Sequence, residues 1–313
     1  MSLPDYLEFF GFQDYPFRLT PDTRYFFPSS KHRAVLDTIR YGLLRGDGFL
    51  VLIGDPGIGK TMLLRMLLRE LEGERYQTAL IMAPALNPKE LLQAILDDVK
   101  LPFEASESKE RLLRRFHEYL LHWAARGGQF VLVVDEAQNL PVESLEEIRL
   151  LSNLETENRK LIQILLVGQP SLEDKLRKPE LSQLKQRITL WEKLQPLSAE
   201  EVSCYAQFRM TRAGGAAIPF EKGAEKILCH ASGHVPRVVN KIMDRALLIA
   251  ASRWERRISV TALREAIKTL EPTLGDFHAE RQSRRPMILL AVLILLVLGG
   301  IFSGLWWSLG GRP

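Results

Sequence analysis

Gly54-Asp55-Pro56-Gly57-Ile58-Gly59-Lys60-Thr61 follows the apolar run Phe49–Ile53 and opens onto Met62-Leu63-Leu64-Arg65-Met66-Leu67-Leu68. Strand, glycine-rich loop, Lys-Thr and helix in that order are the setting in which G-x-x-x-x-G-K-T binds phosphate. Glycines let the backbone curl until successive N–H groups point inward at phosphate oxygens, and the helix adds the positive end of its dipole. Lys60 is then placed to reach the β- and γ-phosphates, and the Thr61 hydroxyl to ligate Mg²⁺. A glycine-rich turn without a ligand is the bland alternative. The coincidence of all five parts argues against it.

At 313 residues, 46% hydrophobic and 26% charged, the chain has the composition of about two folded domains rather than of a disordered protein. A net charge of +4 does not by itself imply nucleic acid as a partner. Cys204 and Cys229 lack metal or redox spacing and read as free thiols in a reducing compartment. His230 and His234 beside Cys229 have no evident third ligand, so a metal site is not expected there. Met1–Asp14 has no signal-peptide pattern. Met287–Gly310, by contrast, is a charge-free run of Leu, Ile, Val and Gly. As a helix it would span roughly 36 Å, enough to cross a bilayer with tilt. Arg281, Arg284 and Arg285 precede it and Arg312 alone follows, so the positive-inside rule predicts a single-pass inner-membrane anchor with the folded part cytoplasmic. Gly300 and Gly304 form a G-x-x-x-G step that could pair such helices.

Taken in order, residues 1–45 read as an aromatic, proline-punctuated strap ending in a helix from about Ser30 to Leu44, capped by Ser29 or Ser30. Such a strap could cover a nucleotide base, or simply pack against the nucleotide domain. Residues 46–195 alternate strands with helices: strands at Phe49–Ile53, Thr78–Met82, Phe130–Val134, Ile162–Val167 and Ile188–Trp191. That alternation implies a parallel sheet. Helices are predicted at Pro88–Val99, Lys109–Ala125 and Val142–Glu155, with a short helical passage over Ser171–Gln186. Residues 196–270 carry no strand signal and predict a small helical domain with helices at Ser198–Arg212, Pro219–Ala231, Pro236–Ser252 and Ser259–Leu270. A polar linker over 271–286 and the anchor over 287–310 complete the chain.

Asp135-Glu136, after the apolar third strand, is the expected partner of the loop. Asp135 would hold Mg²⁺ through water, and Glu136 would orient and polarise an attacking water. A strand intervenes between the loop strand and this one, and the Glu directly follows the Asp. That combination points to the ATPase branch with an added central strand, not to the GTPase branch. A helix cap with a first-turn acid is the alternative for this pair alone. Positive side chains near the γ-phosphate come next, since phosphoryl transfer rests on positioning and charge stabilisation. Arg187 at the entry to the fifth strand and Arg237 at a helix start in the small domain qualify by location. Either could be an ordinary surface charge.

Several further blocks stand in a recognisable order: Phe9-Phe10-Gly11-Phe12, Pro16-Phe17-Arg18-Leu19-Thr20-Pro21-Asp22, His32, Tyr41-Gly42-Leu43, and Val133 to Leu140. They continue in Val167-Gly168-Gln169-Pro170, Gln183 to Ile188, Gly233 to Asn240 and Asp244-Arg245-Ala246-Leu247. From about Tyr6 to Leu270 the chain thus resembles the AAA+ ATPases, and within them the general secretion pathway protein A (ExeA/GspA-like) family. The resemblance implies an α/β P-loop NTPase parallel sheet with an added central strand, a helical lid and a C-terminal transmembrane helix. It implies ATP and Mg²⁺ as cofactors, Gln169 in the sensor-1 region, Arg187 as an arginine finger acting on a neighbouring subunit, and Arg237 as sensor 2. It also implies a homo-oligomer at the membrane that assists a cell-envelope secretion or pilus system. His234 departs from the pattern, where a second glycine is common. The chain runs three residues past Gly310, so the family's periplasmic peptidoglycan-binding domain is not expected.

Two other classes compete. One is a DNA-associated regulatory ATPase of the transposition-helper type, which the absence of a helix-turn-helix or concentrated basic face disfavours. The other is an ATP-dependent conformational switch with incidental turnover, which an intact Glu136 disfavours.

Overall fold

The computed structural model describes residues 5–282 apart from Glu74, Ala83, Pro84, Asn158 and Ala217, with backbone alone for 272–282. Helix α1 (Tyr6–Phe10) and a 3₁₀ turn (Thr23–Tyr25) lead to α2 (Ser30–Arg45). The α/β unit follows as β1 (Phe49–Ile53), α3 (Lys60–Leu71), β2 (Tyr76–Met82), α4 (Pro88–Asp98), α5 (Lys109–Ala125), β3 (Gln129–Asp135), α6 (Val142–Leu151), β4 (Ile162–Gly168), α7 (Pro170–Leu176), α8 (Ser182–Arg187) and β5 (Leu190–Lys193). The lid comprises α9 (Ala199–Arg212), α10 (Ala224–Ser232), α11 (Pro236–Ser252) and α12 (Val260–Gln282).

The five strands are all parallel, in the order β2-β3-β4-β1-β5. β1 and β4 are buried along their whole length because helices cover both faces, which is why they read as continuous apolar runs. The two-residue alternation then divides β1: Phe49, Val51 and Ile53 join the core under α4 and α5, while Leu50 and Leu52 join the core under α2 and α3. The strand lying between β1 and β3 in space is β4, whereas the one between them in the chain, β2, lies at the sheet edge.

Side-chain caps mark several of the helix starts. The Ser29 hydroxyl accepts from the His32 N–H and begins α2; Asn87 with Glu90 and Ser198 with Glu201 form capping boxes on α4 and α9. Several element ends differ from the sequence reading, two of them because a bridge takes up the chain. α6 stops at Leu151 because Glu155 bridges Lys160 in a tight antiparallel turn. β5 begins two residues later than Ile188 because α8 runs through Arg187. α10 starts after Gly223 (φ +92°), since Phe220 is drawn into a bridge with Ile258. α12 does not end near Leu270: its backbone stays helical through part of the expected linker, to Gln282.

The strap is neither extended throughout nor packed chiefly on the nucleotide unit. Tyr6, Phe9, Phe12, Phe17 and Tyr25 are buried in one core with Val202, Met210, Val239, Met243 and Ile258 of the lid region. Polar contacts repeat the attachment: Tyr6 Oη donates to Asp244 at 2.5 Å, the Gln13 N–H donates to Ala213 O at 2.7 Å, and Glu201 accepts from the Ser30 N–H and hydroxyl. Among the described residues no helix is long and apolar enough to cross a membrane; the 287–310 run lies outside them.

Phe17→Ala is expected to lower unfolding free energy by about 3–5 kcal/mol, the usual cost of emptying a fully buried aromatic site. Tyr41→Ala, at a side chain 61% exposed on α2, should change it by less than about 0.5 kcal/mol. Urea unfolding of both variants checks the contrast.

Candidate functional site

The phosphate loop begins where β1 stops, and the Gly54 N–H extends the ladder by donating to Gly168 O at 3.1 Å. The Ile58 side chain is buried in the core beneath the loop. Gly57 (φ +75°) and Gly59 (φ +109°) occupy left-handed conformations. Neither has room for a side chain: a Cβ on Gly57 would lie 2.7 Å from Arg237 Cβ, and one on Gly59 would lie 2.9 Å from His32 Nε2. Gly59 sits at the N-cap of α3 with no side-chain cap, which leaves the first-turn amides of a twelve-residue helix facing the cleft.

Lys60 is buried, and its ammonium donates to Gly54 O at 2.8 Å and Asp55 O at 3.1 Å. Burial lowers its pKa, opposed by the charges of Glu136, Asp135 and Asp55. The Thr61 hydroxyl donates to Asp135 Oδ2 at 2.9 Å, and Asp135 Oδ1 accepts from the Glu136 N–H at 2.9 Å. Burial at the end of β3 pushes the Asp135 carboxyl up, while those two hydrogen bonds pull it down. Glu136 turns sharply out of the strand (φ +53°) and lines the cleft. Its Oε2 accepts from Gln138 Nε2 at 2.6 Å and Gln169 Nε2 at 3.0 Å, and Gln138 Oε1 accepts from the Gln169 N–H at 3.1 Å. Gln138 is thus a site residue that the motif reading passed over, although it stands two places beyond Glu136. A Cβ on Gly168 would come within 2.9 Å of Gln138 Oε1, which accounts for the glycine before Gln169.

His32 is the second residue missed. Its Nε2 lies 2.8 Å from Ile58 O and its Nδ1 2.6 Å from Ser29 Oγ. A carbonyl can only accept, so Nε2 carries the proton and Ser29 donates to Nδ1. The strap helix therefore props the underside of the loop. From the lid, the Arg237 N–H donates to Gly57 O at 3.1 Å and its side chain lines the cleft. Residues of the strap, Leu19 to Pro21 and Tyr25 to Phe27, line the cleft opposite. Arg187 is not brought there. It is exposed at the end of α8, two residues before Thr189, whose N–H binds Phe49 O at the far end of β1 from the loop.

The arrangement suits a magnesium–nucleoside triphosphate. The loop is a glycine cradle that side chains would fill, the buried ammonium is held only by carbonyls it can exchange for phosphate oxygens, and Thr61 with Asp135 presents hard oxygen donors side by side. Among the described residues no group of three or more His, Cys, Asp or Glu could enclose a metal, and Cys229 Sγ lies 3.6 Å from His234 Nε2 as a simple contact.

An AAA domain family model matches residues 43–176. General secretion pathway protein A of Aeromonas hydrophila is 41% identical over 253 residues, covering 81% of this chain and 46% of that protein; the chain spans about half the length of this relative. Among solved structures, the Aeropyrum pernix ORC2 protein in its ADPNP–ADP complexes shares the fold at 18% identity and a TM-score of 0.60, over 77% of this chain and 67% of that one. CDC6P from Pyrobaculum aerophilum does so at 20% identity and 0.60, over 78% and 70%. At such identities the likeness concerns the fold alone.

Burial lowers the His32 pKa below its ordinary 6.5. As pH falls through that value the unfolded chain gains a proton that the folded chain refuses, so the stability is full above it and lost below. Unfolding free energy should therefore decline more steeply between about pH 7 and pH 5.5 in the parent than in His32→Gln. Parallel declines in a urea titration would contradict this.

Proposed function

The chain belongs to the AAA ATPases of the general secretion pathway protein A family, and on that premise we propose that it binds and hydrolyses MgATP at this cleft, anchored in the bacterial inner membrane, to assist assembly of an envelope secretion or pilus system. The observation that carries the hydrolytic part is Glu136, held by Gln138 and Gln169 beside the Thr61–Asp135 pair. Bound MgATP supplies the phosphoanhydride and the metal's charge. Lys60 and the loop amides from Gly57 to Thr61 face phosphate oxygens, and Thr61 with Asp135 would hold the metal. Glu136 takes the proton of the attacking water, while Gln169 reports its position to β4. Arg237 belongs to a lid helix whose backbone already rests on Gly57, so lid angle and phosphate contact are coupled.

Arg187 lies far from its own cleft and is exposed, which supports a role on a neighbouring copy and hence a homo-oligomer. The charge-free run 287–310 after three arginines supports the anchor, and the relative's name supports the pathway. Nucleic acid is not part of this reading.

With the full chain in detergent, Lys60→Ala should abolish nucleotide binding. Glu136→Gln should retain binding and lose turnover by about 10²–10³-fold, as removal of a general base does. If both variants hydrolyse ATP like the parent, this cleft is not the site. Arg187→Ala should bind normally but turn over about 10³-fold more slowly. Mixed with Glu136→Gln it should regain activity, because some cleft in a mixed oligomer then holds both groups. No recovery in a demonstrably mixed oligomer would rule out action between subunits.

A further inference from the structure

Arg209 on α9 is 4% exposed and lines the cleft. Its charge is met by oxygens and rings rather than by a bonded carboxylate. Nε donates to Pro16 O at 2.5 Å, Nη2 to Arg18 O at 3.3 Å and Nη1 to the Tyr205 hydroxyl at 3.0 Å. The guanidinium also lies over the Tyr25 ring at 4.8 Å. On its far side stands Asn240 of α11. With the amide oriented to satisfy its neighbours, its oxygen accepts from Arg209 Nη1 at 3.0 Å and its NH₂ donates to Pro236 O at 3.3 Å. Pro236 adjoins Arg237, whose N–H holds Gly57. A polar line thus runs from the strap carbonyls through Arg209 and Asn240 to the phosphate loop.

Burying a guanidinium costs desolvation, and an apolar side chain would fill the same space more cheaply. What an apolar residue lacks is a rigid fork of donors able to tie acceptors on separate elements. The strap so tied carries apolar residues of the cleft lining, Pro21, Tyr25 and Phe26, and Met62 after the loop lines the same cleft. An apolar-lined part of the cleft continuous with a phosphate cradle has the chemistry of a seat for a nucleotide base.

We propose that Arg209 is a positioning residue for the nucleotide base: it ties the strap to the lid, so that the apolar seat for the base is held in place beside a phosphate loop that Arg237 and Gly57 fix independently. The proposal rests on the nucleotide reading above and adds to it the residue that holds strap and lid together for the base. It separates base-dependent binding from phosphate binding. The test uses the full chain, with ADP and inorganic tripolyphosphate as probes in calorimetry. Arg209→Met should weaken ADP at least about tenfold, the scale of one buried charge-assisted hydrogen bond. Tripolyphosphate should keep its parent affinity, and the KM for ATP should rise more than kcat falls. Arg209→Lys, which keeps the buried charge but not the fork, should show the same selective loss to a smaller degree, and it carries the test if the Met variant does not fold. Unchanged ADP affinity, or equal weakening of both probes, overturns the proposal while leaving the nucleotide reading intact. Failure of the parent to bind either probe overturns both.

Discussion

The hydrogen bond from the Gly54 N–H to Gly168 O is where sheet becomes site. It fixes the end of β1 against the end of β4 in a register that also aligns Ile53 with Gly168. Since β3 pairs with the other edge of β4, the same register brings Asp135 within reach of Thr61 and Glu136 within reach of Gln169. A slip of one residue would reverse the faces of β1 and scatter these groups. The buried, continuous apolar sequence of both strands makes that slip costly, because alternate residues fill two different cores.

The loop itself is gripped from three sides. β4 holds Gly54, the strap helix holds Ile58 through His32, and the lid holds Gly57 through Arg237. Each grip uses a carbonyl or amide turned away from the phosphate-facing side, so the loop can be preorganised without using up the N–H groups that bind. Gly57 and Gly59 are required twice over, by their left-handed conformation and by the closeness of Arg237 and His32.

The phosphate loop, the Asp-Glu pair and four of the five strands were legible because each depends on local sequence: a fixed motif, or an apolar run long enough to mark a strand covered on both faces. The short edge strand β5 was displaced, since four half-exposed residues carry little periodic signal. The partnership of strap and lid was hidden for a different reason. Aromatic residues announce burial but not the surface that buries them, and Phe17 meets lid residues nearly two hundred positions away. His32 and Gln138 escaped as site residues because their roles depend on contacts with Ile58 and Gln169 that no spacing rule encodes. Arg187 shows the converse: its place in the chain is plain, yet one protomer gives it no nucleotide to meet.

The backbone of α12 carries on to Gln282, but its two halves are held by different means. The first half is anchored by packing: Ala262, Leu263 and Ala266 are buried in the lid core, with Ile267 and Leu270 against it. The second half holds Pro272 and Gly275 inside the helix. A proline has no N–H to give to the carbonyl four residues back, and glycine is the next weakest helix former. Bending at these two positions therefore costs less than anywhere else in α12. The lid has a seam built into its last helix, rigid before Leu270 and compliant after it.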